Sequence, residues 1–388
     1  MVLTCFEFEE VECVGESLDS CDQVDFYSQR KRGSDGVETR CYEMLQDGDQ
    51  YLSQDTCLQA RICDDEDHSE TLFSSASLCL PQQRPVVPAN AMQQMLQAEK
   101  EAWSRRSCWQ DISASDRASL VDSVTRTATQ LQLSSDVLFL AVACLDRVLS
   151  LRIIASKQLD TAALACLWIA AKFEHCVVPP AVHFLAAAQA DFTSPAARRL
   201  LVDMEAVILK ALDYRVCTSP TTKTFLRTTF TQMQAQLQQQ HAGLLAKQQH
   251  SSSSSSSTSS AAAAAAGQID SRLYFCASYL AEMSLLESKL APFPPSQVAA
   301  AAFATANLLV PGALRDAQLQ QLTGYSLAQV KEPMTFLLSV HHVLYQGRHL
   351  PLTRMYETAR KYRHASMCRV GLIPSITSTT DQRLRLYQ

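Results

Sequence analysis

The side chains best suited to chemistry in this sequence are its histidines and cysteines. His175, Cys176 and His183 lie near one another in the chain, and such groups bind zinc or act as base and nucleophile. A zinc site needs further ligands, and a reactive cysteine needs a positioned base. The sequence has no CxxC pair and no GxGxxG, GxxxxGK[ST], HExxH or GxSxG motif. We therefore expect no catalytic residue, no metal site and no cofactor, so the chain should not be an enzyme.

Two charges inside an apolar stretch point to a different role. The stretch "LWIAAKFEH", residues 167–175, is typical of a buried helix, yet it carries Lys172 and Glu174. A lysine near a helix end can lay its stem along apolar surface and keep its ammonium in water, which would make Lys172 a structural residue. A partly desolvated ammonium is more stable when it is paired. Lys172 is therefore also a candidate for contact with another protein.

Helices must position these residues, because the chain is rich in Ala and Leu and has only 10 Gly. With 47% hydrophobic and 19% charged residues, the 388-residue chain can bury the cores of two ordinary domains. After a proline-rich linker, apolar residues recur at helical spacing through five segments. One of these segments, "SKQLDTAALACLWIAAKFEH", is apolar nearly all round and predicts the central helix.

A second set of five helical segments follows the first, and it opens with the same Thr-Ser-Pro sequence that begins the last segment of the first set. We predict an all-α protein with two consecutive five-helix repeats. The predicted parts are a disordered acidic arm and linker at 1–90, an N-terminal helix and the first repeat at 91–216, the second repeat at 217–346 and a basic tail at 347–388. The second repeat contains a low-complexity Gln/Ser/Ala insert at 232–267, which predicts a mobile loop.

The charge is unevenly distributed along the chain. Residues 1–70 hold 19 Asp and Glu against 5 Lys and Arg, whereas the remainder holds 20 against 29. This division predicts an acidic, disordered arm before a mildly basic body. The "RKR" at 30–32 is either a solvated turn or part of a nuclear address. An acidic start and the lack of a membrane-spanning apolar run predict a soluble protein of the nucleus and cytoplasm with no membrane partner.

Four motifs occur in the order and at the spacing of a known helical module. The stretches "QDISASDRASLVDSV", "LAVACLDRVLS", "WIAAKFEHCVVPP" and "DMEAVILKALDYRV" resemble the cyclin box, the five-helix module of cyclins. The second repeat and the segment "ETARKYRHASMCRVGL" resemble the second box and the C-terminal segment of A- and B-type mitotic cyclins. The resemblance covers about residues 90–375, apart from the insert, and implies two consecutive cyclin boxes.

The resemblance also implies a protein partner and a contact surface. In cyclins, the Lys of the "AAKFE" motif and the Glu of the "RMExxVL" motif face the cyclin-dependent kinase. Here these residues are Lys172 and Glu205. The same resemblance adds four further kinase contacts: Ile169, Phe173, Glu174 and Leu209. His175 stands where the family often has Glu, so the charge at the rim of the contact is expected to differ.

Another pair of motif residues is expected to serve the fold. The family pairs an Arg of its first helix with the Asp of its "LDRFLS" motif, and both are present as Arg117 and Asp146. A guanidinium held by a carboxylate between two helices fixes their packing, and loss of either partner strands the other. The resemblance therefore implies a structural ion pair at Arg117 and Asp146.

One family feature is altered. The substrate-docking patch of the family has the form MRxILxDW, whereas this chain has "DRASLVDS". Asp116, Ser119 and Ser123 replace Met, Ile and Trp, and only Leu120 stays apolar. Because apolar burial drives the binding of RxL-type substrate motifs, we predict weak or no binding of such a peptide at this patch. A dissociation constant in the low micromolar range would contradict this prediction.

The N-terminus carries a short motif that fits a second partner. Leu3, Cys5 and Glu7 match LxCxE, the motif by which D-type cyclins and some viral proteins bind retinoblastoma-type pocket proteins. An acidic flank and a position in an extended arm suit such a ligand. The alternative is an accidental match in an acidic tail, and the motif conflicts with the A/B-type body.

These observations predict a regulatory cyclin that binds and allosterically activates a cyclin-dependent serine/threonine kinase in cell-cycle control. The alternative is a transcription scaffold with paired cyclin-like folds that binds DNA or basal machinery without activating a kinase. The basic body and tail leave room for that alternative. Lys172 and Glu205 favour the kinase, so a nucleic-acid partner is not expected.

Overall fold

The computed structural model describes residues 90–103, 112–189, 194–251, 269–310, 316–347 and 356–376. These residues form helices, and none of them lies in a strand. The N-terminal helix and the first box comprise α1 (Ala91–Trp103), α2 (Ala114–Gln130), α3 (Ser135–Ser150), α4 (Leu159–Glu174), α5 (Ala181–Ala187) and α6 (Pro195–Ala211). The second box comprises α7 (Thr222–Ser251), α8 (Ser271–Ser284), α9 (Pro295–Leu309), α10 (Asp316–Thr323) and α11 (Leu327–Gln346), and α12 (Glu357–Lys361) follows it. All ten predicted helices of the two repeats form, which confirms the all-α fold class.

Serine caps set where several helices of the first box begin. The hydroxyl oxygens of Ser113, Ser134 and Ser194 each accept a hydrogen bond from the backbone N–H three residues further on. Each cap satisfies one of the N–H groups that a helix start leaves without an intrahelical partner. Pro195 follows Ser194 at the first position of α6. At this position the missing N–H of Pro costs no intrahelical hydrogen bond, and its fixed φ is compatible with a helix.

The two boxes each have a central helix made of small and apolar residues. In α4, every residue from Ala162 to Ala171 is buried, and α2, α3, α5 and α6 pack against it. In α9, thirteen residues between Ser296 and Leu309 are buried beneath α7, α8 and α11. Alanine lets neighbouring backbones approach closely, so one helix can serve as the core of four others. This explains why both segments are apolar nearly all round.

The insert in the second box departs from the predicted loop. Helix α7 continues without interruption from Thr222 to Ser251, through the Gln-rich part of the insert. Gln, Ala, Leu and Lys have good intrinsic helix propensity, so an already nucleated helix extends through them at little cost. The Ser and Ala runs at 252–268 lie outside the described residues, as does the predicted acidic arm at 1–89 with Leu3, Cys5 and Glu7.

Residues 356–376 of the predicted basic tail at 347–388 pack against the two boxes. Tyr362, Val370 and Ile373 are at most 8% exposed and belong to the core of the second box. The backbone N–H of Glu357 donates to the Asp122 carboxylate of α2 at 2.6 Å, which also joins the segment to the first box. We name residues 356–376 the C-terminal strap. Its apolar residues are too widely spaced for helical periodicity, so the sequence pattern did not reveal their burial.

Among the helices that the structure describes, none combines the length and the apolar character needed to cross a bilayer.

Candidate functional site

Lys172 and Glu205 meet where the end of α4 lies against α6. Lys172 Nζ donates to Glu205 Oε1 at 2.7 Å and to Oε2 at 2.9 Å. The Lys172 side chain is 41% exposed and that of Glu205 is 15% exposed, so the pair is open to solvent on one side. Lys172 Nζ also lies 3.3 Å from the centroid of the Trp168 ring. The ammonium is therefore held between a carboxylate and an indole face rather than extended freely into water.

Exposed apolar side chains flank both members of this pair along the chain: Phe173 directly follows Lys172 on α4, and Val202 lies one turn before Glu205 on α6. Phe173 is 55% exposed, Val202 is 47% exposed and Val177 is 85% exposed. Leu209 is half-buried at the edge of the first-box core. Soluble proteins usually leave such residues exposed singly, so several of them around one ion pair indicate a surface that another protein covers. We name Lys172, Glu205 and these four apolar residues the α4–α6 face.

Sequence reasoning did not identify Val177 and Val202. A signal for Val202 was nevertheless present, since α6 needs only one buried stripe, formed by Leu201, Met204 and Ile208. Any further large apolar residue on α6 has to be exposed, because a single stripe covers only part of a helix surface. The local pattern does not indicate the exposure of Val177, which lies three residues after the end of α4.

Ile169, one of the predicted contact residues, is only 3% exposed and packs into the core of the first box. Little of its side chain is therefore open to a partner in this structure. The remaining predicted residues lie at or beside the surface. Glu174 is exposed at the end of α4, and His175 Nε2 lies 3.1 Å from Ser134 Oγ.

Arg117 and Asp146 lie together between α2 and α3. Arg117 Nε and Nη2 donate to the two oxygens of Asp146 at 2.8 and 2.9 Å, with both residues buried. Arg117 Nη1 also donates to the backbone carbonyl of Leu285 at 2.7 Å. Leu285 directly follows α8, so the guanidinium connects the two boxes as well as two helices. This third bond cannot be inferred from the sequence, because its acceptor is a backbone atom 168 positions away.

The altered docking patch lies on the exposed side of α2. Asp116 and Ser119 are exposed, Ser123 is half-buried, and Leu120 is only 6% exposed. The one apolar residue that the patch retains therefore faces the core instead of the surface. This arrangement supports the prediction of weak peptide docking, which binding measurements have to test.

The described residues also bear on catalysis. They contain no group of three or more His, Cys, Asp or Glu side chains arranged to hold a metal ion. Burial raises the pKa of the Cys144 and Cys276 thiols to about 12, so both are protonated at neutral pH. Protonated thiols in a packed core are poor nucleophiles. The geometry of the α4–α6 face, with one ion pair among exposed apolar side chains, is suited to binding a protein surface.

Family comparisons identify the two helical repeats. The N-terminal cyclin domain family matches residues 90–217, and the C-terminal cyclin domain family matches residues 220–374. The chain belongs to the cyclin family. This confirms the predicted resemblance and, because cyclins are regulatory proteins, the prediction that the chain is not an enzyme. The second match also includes most of the C-terminal strap, in agreement with its packing.

Individual relatives are A- and B-type cyclins. Cyclin-A3-2 of Oryza sativa subsp. japonica is 30% identical over 268 residues, which are 69% of this cyclin and 60% of the relative. G2/mitotic-specific cyclin-B2 of Oryzias luzonensis is 26% identical over 270 residues, 70% of this cyclin and 59% of the relative. This cyclin therefore spans about three fifths of the length of these relatives. A solved viral cyclin from herpesvirus saimiri has a TM-score of 0.46 and 19% identity over 64% of this chain and 99% of its own.

Proposed function

We propose that this cyclin is a regulatory subunit that binds a cyclin-dependent serine/threonine kinase and activates it allosterically in cell-cycle control. The α4–α6 face is the proposed contact. The observation that carries the proposal is the Lys172–Glu205 pair, fixed on the surface, with exposed Phe173 next to Lys172 in the chain and exposed Val202 one turn before Glu205 on α6. Apolar contact would supply affinity, and the ion pair would fix the register of the two proteins.

Activation in this proposal is a shift of population in the kinase. A ligand favours one of two conformations only by binding it more tightly than the other. The cyclin surface would be complementary to the active arrangement of the kinase, and the catalytic residues would all belong to the kinase. The rigid core beneath α4 and α6 suits this role, because a surface that deforms easily cannot discriminate between two conformations of its partner.

Purification of the tagged cyclin from its own cells, followed by an assay of associated histone kinase activity, tests the proposal. We expect activity with wild type and a loss of at least about tenfold with the Lys172→Ala/Glu205→Ala variant, since the truncation removes a polar contact that the partner would bury. The matched control is Lys331→Ala/Glu332→Ala, which removes two exposed charges from α11 in the second box. Wild type without associated kinase activity, or equal loss in both variants, would overturn the proposal.

The transcription-scaffold alternative draws on the basic residues near the C-terminus. Two of them already have partners within the protein: Arg360 forms two hydrogen bonds with Glu357, and Lys361 forms two with Glu282. Basic side chains that are already paired with a carboxylate bind phosphate groups less strongly. We therefore favour the kinase, and a steep salt dependence of DNA binding would favour the scaffold instead.

A retinoblastoma-type pocket protein remains a proposed second partner through Leu3, Cys5 and Glu7. A peptide of residues 1–12 should bind a purified pocket domain, and Cys5→Ala together with Glu7→Ala should abolish this binding. Equal binding by the wild-type and substituted peptides would show that the motif is accidental.

A further inference from the structure

A tryptophan lies beneath the Lys172–Glu205 pair. Trp168 is one turn before Lys172 on α4, so the two side chains share a face of the helix. Lys172 Nζ lies 3.3 Å from the ring centroid, and Trp168 is only 9% exposed. The indole is itself packed beside Phe184 of α5, with ring centroids 6.5 Å apart. A ring held in this way is a fixed platform for the ammonium.

We propose that Trp168 is a positioning residue, which holds the Lys172 ammonium against Glu205 before any partner binds. An exposed Lys–Glu pair usually contributes little, because two flexible side chains must be ordered to form it. The face of an indole attracts a cation through the ring quadrupole, and this attraction strengthens as water is excluded. Trp168 thus restricts Lys172 Nζ to positions beside Glu205. The consequence for binding rests on the proposed kinase function.

This arrangement defines the chemistry that a partner must offer. The ring covers one side of the ammonium and Glu205 lies on another, so only part of Lys172 Nζ remains open to a new acceptor. The pair has no net charge. A partner therefore needs an acceptor for the ammonium and a donor for the carboxylate. The carbonyl and N–H groups of a polypeptide backbone meet this need better than a cluster of acidic side chains would.

The competing explanation is that Trp168 only fills the core of the first box. Three substitutions separate the two roles. Trp168→Phe keeps an aromatic face beneath Lys172, whereas Trp168→Leu keeps apolar volume but removes the ring. Leu164→Ala is the matched control, because it truncates another buried residue of α4 and weakens the core while the indole ring stays in the protein.

Nuclear magnetic resonance of the free protein tests the positioning directly. The Cε protons of Lys172, assigned by their disappearance in Lys172→Gln, should resonate upfield because they lie over the indole ring. The upfield shift should persist in Leu164→Ala, decrease in Trp168→Phe and vanish in Trp168→Leu. If the Cε protons of Lys172 in the wild-type protein have the chemical shift of an exposed lysine, the proposal is overturned, regardless of the result of kinase binding.

Calorimetric binding of a purified cyclin-dependent kinase catalytic subunit tests the consequence. Trp168→Leu should raise the dissociation constant roughly tenfold and Trp168→Phe by less, in line with the strength of cation–π contacts. In the Lys172→Gln background, Trp168→Leu should cause no further rise. An equal rise in both backgrounds would overturn the proposal, because Trp168 would then act through the core. A wild-type protein that shows the upfield shift but binds no kinase would refute the proposed function and leave the positioning role intact.

Discussion

At the scale of single residues, Arg117 makes three hydrogen bonds that join two helices of the first box and connect them to the second box. It is 4% exposed and donates to both oxygens of Asp146 and to the carbonyl of Leu285. We expect Arg117→Ala to lower the free energy of unfolding by about 3 to 5 kcal/mol, because it leaves a buried carboxylate without its counter-charge. Denaturant titration measures this loss. Arg215→Ala is the control, and should cost about 1 kcal/mol or less because its pair with Asp213 is exposed.

A stable Arg117→Ala protein that merely lost kinase affinity would show that this residue acts at the partner surface. The family resemblance predicted the pairing of Arg117 with Asp146, but only the structure places Leu285 beside it. The expected penalty therefore includes a contact between the boxes, which the sequence could not indicate.

His341 provides a pH-dependent test of burial in the second box. The ring is fully buried beside Tyr279, and burial lowers its pKa from 6.5 to about 4. The backbone of Ile373 favours the charged ring and the neighbouring His342 opposes it, but neither offsets the burial. The unfolded chain therefore protonates this histidine below about pH 6.5, whereas the folded protein protonates it only below about pH 4. Stability should fall as the pH falls through this window, by about 3 kcal/mol in total.

The His341→Leu variant isolates this contribution, because all other titrating groups stay the same. When the pH is lowered from 7 to 4.5, the free energy of unfolding of the variant should rise by about 2 to 3 kcal/mol relative to that of wild type. Urea titrations of both proteins at the two pH values give the difference. If the gap between the two proteins does not change with pH, the imidazole is not kept neutral by the fold.

At the scale of elements, the C-terminal strap depends on one buried acid. Glu282 of α8 is 1% exposed and accepts hydrogen bonds from Lys361 Nζ, from Tyr362 Oη and from Ser135 Oγ of α3. It therefore joins the strap, the second box and the first box at one point. A carboxylate in such a place is stable only because donors surround it.

We expect Glu282→Ala to loosen the strap, since it leaves the Lys361 ammonium and the Tyr362 hydroxyl without their shared acceptor. Limited trypsin digestion should then cleave after Lys361 or Arg363 at least about tenfold faster than in wild type, because local opening scales with the stability of the segment. Glu332→Ala on α11 is the control and should leave the cleavage rate unchanged. Equal rates for wild type and Glu282→Ala would show that apolar burial alone holds the strap.

Elements differed in how well the sequence predicted them. The apolar periodicity predicted the helices of the first box, because this signal acts between residues only a few positions apart. The strap was predicted as a tail because its buried residues, Tyr362, Val370 and Ile373, are separated by turns. Two consecutive left-handed residues, Cys368 and Arg369, make one of these turns. Neither Cys nor Arg favours the left-handed conformation, so the local sequence does not indicate this turn.

At the scale of the whole molecule, polar contacts tie the two boxes together. Arg227 of α7 pairs with Asp136 of α3, and Arg117 and Glu282 each bond across the same junction. We expect the two boxes to unfold in one cooperative transition, because separating them would break these contacts and expose Phe139 of α3, which packs in the core of the second box. Amide hydrogen exchange under increasing urea should give similar opening free energies for α4 and α9. Two values differing by several kcal/mol would show that the boxes are independent domains.

The sequence by itself determined the all-α class and the two five-helix repeats, and its resemblance to cyclins implied the Lys172–Glu205 pair. The first two features follow from local periodicity and capping residues, and the resemblance follows from short ordered motifs; all of these are readable along one chain. Tertiary structure alone decided that Ile169 is buried, that Val202 and Val177 are exposed, and that Trp168 lies beneath Lys172. It also decided the packing of the strap and the bond from Arg117 to Leu285. The physical reason is that burial and pairing depend on which helix faces meet, and residues far apart in sequence create those contacts.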